Sequence, residues 1–460
     1  MARLKIKRFY IITMGCQMNV YDSSQMERLL ASEGYVPCGE PEQADLIIIN
    51  TCAIREKPEH KVHSHLGRLV RIKKKRPNVV IAVGGCVAQH EGQRLVKRWP
   101  WLDIVFGPFA VRRLPELVAE ALRRDRCVVD IDTNAEAEPG EIAPAAFQCG
   151  SPTGFVTIMQ GCDNYCTYCI VPYVRGREVS RRPERIVSEV EHLVASGVKE
   201  VTLLGQNVNS YGLTNGYACT FPELLATVNR VNGLKRLRFT TSHPKDLSEG
   251  LIACFDGLDT LAPHIHLPVQ SGSTRILKRM NRGYGREAYL KKIERLRRVR
   301  PDIAITSDII VGFPGEDDKA FRETLDLLQA VEFDNLFSFK YSDRKGVPAS
   351  RFSRKVEENE KEDRLARLQE LQRAITLRKH QALVGTCQEV LVEGRSKRGG
   401  DQLTGHTPCN KTVNFSGAAS EVEGIVPVMI TAAFSHSLRG EMPRRCERLP
   451  GRQGGVLHAA

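Results

Sequence analysis

Three cysteines fall within eight residues, Cys162, Cys166 and Cys169, in the spacing C-x3-C-x2-C. Three thiolates can hold three irons of a 4Fe–4S cluster, since such clusters are bound by cysteine. The fourth iron then lacks a protein ligand. An open coordination position is what separates a catalytic metal site from a closed structural one. The plainer alternatives are a structural zinc site or three incidental thiols. Zinc needs four ligands, usually in paired C-x2-C units, whereas here one C-x2-C unit is present and no histidine lies close by. Residues 155–160 read as the strand that delivers this loop.

The first third of the chain alternates apolar runs with helical patterns. Residues 8–14, 44–50, 79–83 and 103–106 read as strands, and 22–32, 58–75, 87–98 and 114–123 as helices. Strands alternating with helices predict a parallel, doubly wound sheet. Cys16 follows the first strand, Cys52 the second and Cys86 the third. The carboxyl ends of parallel strands lie along one edge, which is where such sheets bind ligands. Three cysteines at one topological position predict a second 4Fe–4S cluster, again with one open iron. Buried free thiols are the bland alternative. The basic groups of 56–76 (Lys57, His60, Lys61, His63, His65, Arg68, Arg71 and the run 73–76) either face phosphates or form a solvated helix face with cations near its end.

Fourteen cysteines in a chain without a signal-peptide core or a membrane-length apolar run predict a cytoplasmic protein. Thiols there serve metal or redox chemistry rather than disulfides. The net charge of +13 favours a polyanionic partner.

The middle of the chain repeats a β/α pattern about six times, which predicts a partial barrel with its site at the carboxyl ends of the strands. Polar clusters fall at those ends: Gln206, Asn207 and Asn209; Thr241, Ser242 and His243; Gln270, Ser271 and Ser273; Ser307 and Asp308. As a set on one rim they are best explained by a ligand pocket. The stretch Arg175-Gly176-Arg177-Glu178-Val179-Ser180-Arg181-Arg182 either receives substrate phosphate or forms a surface Arg–Glu network. After an amphipathic helix at 356–379, five short strands predict a small β-barrel of a kind often used for nucleic acid. Arg395, Lys397, Arg398, His406 and Lys411 would form its basic loops.

These readings meet in specific motifs: Gly15-Cys16-Gln17-Met18-Asn19, Asn50-Thr51-Cys52-Ala53-Ile54-Arg55-Glu56, Gly84-Gly85-Cys86-Val87, Gly161-Cys162-Asp163-Asn164-Tyr165-Cys166-Thr167-Tyr168-Cys169, Thr241-Ser242-His243-Pro244 and Gly405-His406-Thr407-Pro408-Cys409-Asn410. At these residues the chain resembles the radical-SAM methylthiotransferases, over about residues 7–440. Within that family it is similar to the branch acting on prenylated adenosine in tRNA.

The resemblance implies an α/β chain of three parts. Residues 1–129 form the doubly wound methylthiotransferase domain, 148–380 a partial (β/α) radical-SAM barrel and 381–445 a TRAM RNA-binding barrel; by composition the acidic, Pro/Ala-rich 130–147 reads as a linker and the Arg/Gly-rich 446–460 as a disordered tail. It implies that Cys16, Cys52 and Cys86 hold an auxiliary 4Fe–4S cluster. Cys162, Cys166 and Cys169 would hold the cluster that binds S-adenosylmethionine (SAM) and cleaves it to a 5′-deoxyadenosyl radical. Tyr168 would contact the SAM adenine, with Gln206 and Asn207 as further pocket residues. One SAM would methylate a sulfide of the auxiliary cluster. The radical made from the other would take hydrogen from C2 of N6-(dimethylallyl)adenosine beside the anticodon. The expected partners are the tRNA anticodon stem-loop, an external sulfur source and a one-electron reductant. No membrane is involved and the chain is a monomer. A threonylcarbamoyl-adenosine or a ribosomal-protein aspartate is the alternative target. A non-catalytic iron–sulfur RNA-binding protein is the alternative class.

Overall fold

The computed structural model describes residues 7–53, 56–124, 126–132, 151–213, 219–396, 402–417 and 424–443. The tail, Lys397, Arg398 and the expected linker from residue 133 onward lie outside the described residues.

The first sheet contains β1 (Arg8–Thr13), β2 (Val36–Pro37), β3 (Leu46–Thr51), β4 (Val80–Gly85), β5 (Ile104–Phe106) and β6 (Val128–Asp130). They lie in the order β2-β1-β3-β4-β5-β6, and every pairing is parallel. Helices α1 (Gln17–Ser32), α2 (Glu56–Lys75), α3 (Cys86–Glu91), α4 (Gln93–Arg98) and α5 (Leu114–Ala121) cover it. Every residue of β3 and β4 is buried, as strands covered on both faces must be. Ile47, Ile49, Ile81 and Val83 pack into one core with Val62 and Leu66. Leu46, Ile48, Val80 and Ala82 pack into the other with Met26 and Leu30. The doubly wound sheet therefore stands as predicted.

Two details differ from the expectation. The helix at 87–98 is broken in two at Gly92, whose φ of +45° lies in the left-handed region and whose Cβ would stand 2.7 Å from the Ile131 side chain. The edge strands β2 and β6, two and three residues long, are too short to carry a period. Two cations at the end of α2 pair with protein, while Lys74 and Lys75 are exposed. Lys73 is bound to Asp103 and the Val79 carbonyl, and Arg76 to Asp45 and the Glu42 and Ala44 carbonyls.

The central part begins with β7 (Thr153–Thr157) and β8 (Met159–Gln160), then α6 (Val171–Arg175), β9 (Val179–Ser180), α7 (Pro183–Ala195), β10 (Glu200–Leu204), α8 (Phe221–Asn229) and β11 (Arg236–Phe239). It continues with α9 (Glu249–Gly257), β12 (His264–His266), α10 (Thr274–Arg279), α11 (Arg286–Val299), β13 (Ala304–Val311), α12 (Asp318–Val331) and β14 (Asn335–Lys340). Strands β7, β10 and β11 form one parallel sheet and β12, β13 and β14 another, joined by a bridge between Leu237 and Leu261. The six strands follow sequence order, giving the open barrel expected. Val201, Leu203, Leu237, Phe239, Ile265 and Ile305 pack against the helices. The alternate positions, Thr202, Arg238, His266, Thr306 and Asp308, are polar, and strand pleating sends them to the opposite face. Helix α13 (Glu358–Gln381) packs along β14.

The C-terminal strands β15 (Cys387–Arg395), β16 (Gln402–His406), β17 (Thr412–Ser416), β18 (Ile425–Ala433) and β19 (Leu438–Glu441) close a five-stranded barrel. It docks on the amino ends of the central strands, opposite the end that carries the cysteine loop. Arg236 donates to the carbonyls of His406 and Glu389, and Arg238 to that of Thr407. The His406 ring lies between Glu200 (2.9 Å) and Glu393 (3.0 Å), and Lys411 binds Asp334 at 2.7 Å. Two of the residues expected to form RNA-binding loops are thus docking residues, His406 buried and Lys411 half-buried. Arg395 stays exposed.

This docking has a pH signature. Burial opposes ionisation of Glu200, but the hydrogen bond from His406 and the charge of Arg238 outweigh it and hold the carboxyl down to about 2. Burial likewise opposes charging of His406, and Glu200 with Glu393 reverses that, so its pKa is raised. The Glu200 contribution is present above the ordinary carboxyl value and lost as pH falls through about 2. The His406 contribution is present below the ordinary imidazole value of 6.5 and lost as pH rises through its raised value. Between pH 6 and 9 the wild-type melting temperature should fall further than that of His406→Gln, by roughly 2 °C or more. Parallel curves in thermal melts would refute the interface role.

Candidate active site

Cys16, Cys52 and Cys86 stand just past the carboxyl ends of β1, β3 and β4, which are neighbours in the sheet. A fully buried network fixes those ends. Asn50 donates to the Asn19 carbonyl and to Ser23 Oγ, both at 2.9 Å, and Asn19 donates to Asn50 Oδ1 and the Thr51 carbonyl. Thr51 Oγ1 donates to the Gly84 carbonyl at 2.6 Å and accepts from Val87 N–H. Gly15 is required here: its φ is +135° and a Cβ would stand 2.2 Å from that of Cys52. A hydrogen bond with Cys52 and the charge of Arg175, working against burial, hold the Cys16 thiol down to about 6. Burial pushes the Cys86 thiol up, and Arg175 opposes it.

Cys162, Cys166 and Cys169 lie on the loop between β8 and α6, which the short antiparallel pair β8–β9 clamps at its base. Gly161 has φ +81°, and a Cβ would collide with the Arg177 carbonyl at 1.9 Å. Cys169 N–H donates to the Cys166 carbonyl, and Thr167 N–H to that of Met280. Arg282 approaches Cys166 Sγ at 3.3 Å and also donates to the Pro268 carbonyl and to Tyr284 and Tyr168 hydroxyls. His243 Nδ1 accepts from Lys245 N–H, which leaves its proton on Nε2, 3.9 Å from the same sulfur. Burial and the Arg282 charge depress His243 to about 2, so its ring is neutral. Burial raises the Cys162 and Cys169 thiols to about 11 and about 12.

The two triads belong to one structure. Helix α6, which starts two residues after Cys169, packs Val174, and the preceding Ile170, into the core that holds Cys86. Arg175 at its end donates from Nε to Cys86 Sγ at 3.4 Å and from Nη2 to Asp22 at 2.7 Å. In the stretch 175–182 two arginines are internal, while Arg177 and Arg182 stay exposed. Arg175 and Arg181 are buried, the latter on Glu189 and the Thr157 carbonyl, while Arg177 is exposed and pairs with Asp163. Burial pushes the Glu178 carboxyl up to about 7 against the hydrogen bond from Ser210.

The expected pocket residues split. Tyr168 lies between Arg282 and the Phe313 ring. Gln206 accepts from Gly161 N–H at 2.6 Å and so braces the cysteine loop. Asn207 is buried, donating to Asp246 and accepting from His243 N–H. On the same rim, Gln160 Nε2 and Ser242 Oγ are buried without a protein partner. Thr241 and Gln270 hold φ of +69° and +73° at strand ends, a strain that proteins concentrate at functional sites. Arg282 and Asp22 are site residues that sequence reading did not single out, and the pairing of Asn19 with Asn50 was not visible in their motifs.

Among the described residues, no three His, Cys, Asp or Glu side chains close around a single metal ion. The donor sets are three sulfurs and three sulfurs, the ligand chemistry of iron–sulfur clusters. Each triad has one buried guanidinium aimed at a cysteine sulfur, a fit for the negative charge of thiolate ligands. The orphaned Gln160 and Ser242 groups could be satisfied by the polar ends of a bound SAM.

Known proteins place the same parts in the same order. Residues 8–107 match Uncharacterized protein family UPF0004, 156–328 the Radical SAM superfamily and 381–442 the TRAM domain. No helix among the described residues is long and apolar enough to cross a membrane. The fold of TsrM from Kitasatospora setae, a radical S-adenosylmethionine methyltransferase, is similar at TM-score 0.54 and 16% identity, over 75% of this chain and 74% of that one. A tRNA-2-methylthio-N(6)-dimethylallyladenosine synthase of Geobacter metallireducens is 52% identical over 95% of this chain and 98% of its own. That of Desulfosudis oleivorans is 49% identical over 99% of this chain and all of its own. With half its residues shared along its whole length, the chain belongs to the tRNA-2-methylthio-N(6)-dimethylallyladenosine synthases, radical-SAM methylthiotransferases.

Proposed function

We propose that this protein methylthiolates C2 of N6-(dimethylallyl)adenosine next to the anticodon of tRNA, using SAM and two 4Fe–4S clusters. The observation that carries this reading is the pair of three-cysteine sites joined through α6 and Arg175. Cys162, Cys166 and Cys169 hold one cluster and Cys16, Cys52 and Cys86 the other. When bound, the first supplies the electron that cleaves SAM and the second supplies sulfur. The chain's own residues position and shield. Gln206 and the Met280 carbonyl fix the cysteine loop. Tyr168 and Asn207 border the SAM pocket. The buried surroundings of the thiols keep water from the radical. A sulfur source and a one-electron reductant must come from outside, and the tRNA substrate places the protein in the cytoplasm.

The threonylcarbamoyl and aspartate targets are not favoured by the relatives. The deciding measurement is the modified-nucleoside profile of tRNA with and without the gene. Loss of 2-methylthio-N6-(dimethylallyl)adenosine, with accumulation of its unthiolated precursor, is expected on deletion. Unchanged levels overturn the assignment.

A further inference from the structure

The central part contributes one side chain to the N-terminal cysteine site. Arg175 is six residues past Cys169 in sequence yet touches Cys86, 89 residues away. It is 3% exposed, and Asp22 of α1 fixes its fork from the far side at 2.7 Å. A guanidinium so buried would be costly without anionic neighbours. It has one carboxylate and the thiols of the triad. Hydrogen bonds to ligating sulfur and nearby charge set the potential of an iron–sulfur centre. Partners beyond the ligands also hold those ligands in place, and their removal typically costs 10–100-fold in metal affinity.

We infer that Arg175 is a positioning residue for the auxiliary centre: it orients Cys86, favours the more negative, reduced state of that centre, and makes it complete only when the two halves are docked. Asp22 acts through Arg175 by holding the fork with Nε toward sulfur. The arrangement has a counterpart at the other triad, where Arg282 faces Cys166, so each centre has its own buried cation. The inference rests on the reading that both triads hold iron–sulfur clusters.

The test uses the full chain reconstituted anaerobically. In a Cys166→Ala background only the auxiliary centre remains, and in a Cys52→Ala background only the other. Arg175→Lys keeps the cation but removes the Nε donor. In the first background it should move the midpoint, read by EPR-monitored titration, to more negative values and speed iron loss to a chelator roughly tenfold. In the second background both quantities should stay unmoved. Should Arg175→Lys fail to fold, Arg175→Gln with Asp22→Asn, a neutral hydrogen-bonding pair, is scored by the same criteria. An unmoved auxiliary midpoint and loss rate, or equal shifts in both centres, overturns the inference. A wild-type protein carrying only about four irons instead of about eight would instead sink the two-cluster reading itself.

Discussion

Cys166→Ala should reduce 5′-deoxyadenosine formation to the uncatalysed background. The sulfur it removes faces Arg282 at 3.3 Å and the His243 Nε2 at 3.9 Å. Two thiolates would remain, Cys162 and Cys169, where three are needed to anchor three irons and leave the fourth open. The loss should exceed about a thousandfold, or about 4 kcal/mol in the barrier. The assay is anaerobic turnover with a chemical reductant, with 5′-deoxyadenosine and methionine counted together. Removing Cys166 also leaves Arg282 buried with one anionic neighbour fewer, so part of a loss could come from destabilisation. Cys162→Ala separates the two effects, because among the described residues its sulfur is bonded by the Asn164 backbone and side chain, the latter at 3.5 Å, and no buried cation is bound to it. Both variants should fail alike. Substantial 5′-deoxyadenosine from folded Cys162→Ala would remove this loop from SAM cleavage.

Much of this architecture was legible because periodicity and topology are local. β3 and β4 are unbroken apolar runs, and their ends are marked by Asn50-Thr51 and Gly84-Gly85. Cysteines placed after three successive strands therefore had to share one sheet edge. The cysteine loop was legible by its spacing alone. Long-range pairing of charges was not. Arg282 sits in a turn after α10 with no period to announce it, and only the folded chain brings it to Cys166, 116 residues away. Basic character says nothing about the partner's identity. His406 and Lys411 looked like phosphate ligands until Glu200 and Asp334 closed on them from 206 and 77 residues away. The same holds for Arg175, whose neighbours in sequence are Val174 and Gly176 while its neighbours in space are a carboxylate and a thiol. Its burial removes Arg175 itself from RNA contact and leaves Arg177 and Arg182 exposed. It also turns attention to exposed basic groups elsewhere, whose phosphate contacts should weaken as salt rises.

Cys52→Ala should separate the two halves of the reaction: SAM cleavage continues while the methylthio product disappears. The loop with Cys162, Cys166 and Cys169 takes its supports from β8, β9, Gln206 and the turn after α10, and the described contacts of that loop do not include Cys52. Cys52 lies in the middle of the other triad, with Gly15 packed so closely on it that no side chain fits between. Alanine keeps the Cβ that touches Gly15 and deletes the sulfur alone. The Asn19–Asn50–Thr51 network should thus survive and the fold with it. The expected record is 5′-deoxyadenosine near the wild-type level, iron falling from about eight to about four per chain, and no 2-methylthio nucleoside in the prenylated RNA. Radical formation without a sulfur to transfer is an uncoupled reaction, so the ratio of 5′-deoxyadenosine to modified nucleoside should climb without limit. If methylthio product persisted at more than a few per cent, sulfur would have to reach C2 by a route independent of this triad. If 5′-deoxyadenosine vanished as well, the two centres would be interdependent through α6 and Arg175, the segment that ties Cys169 to Cys86.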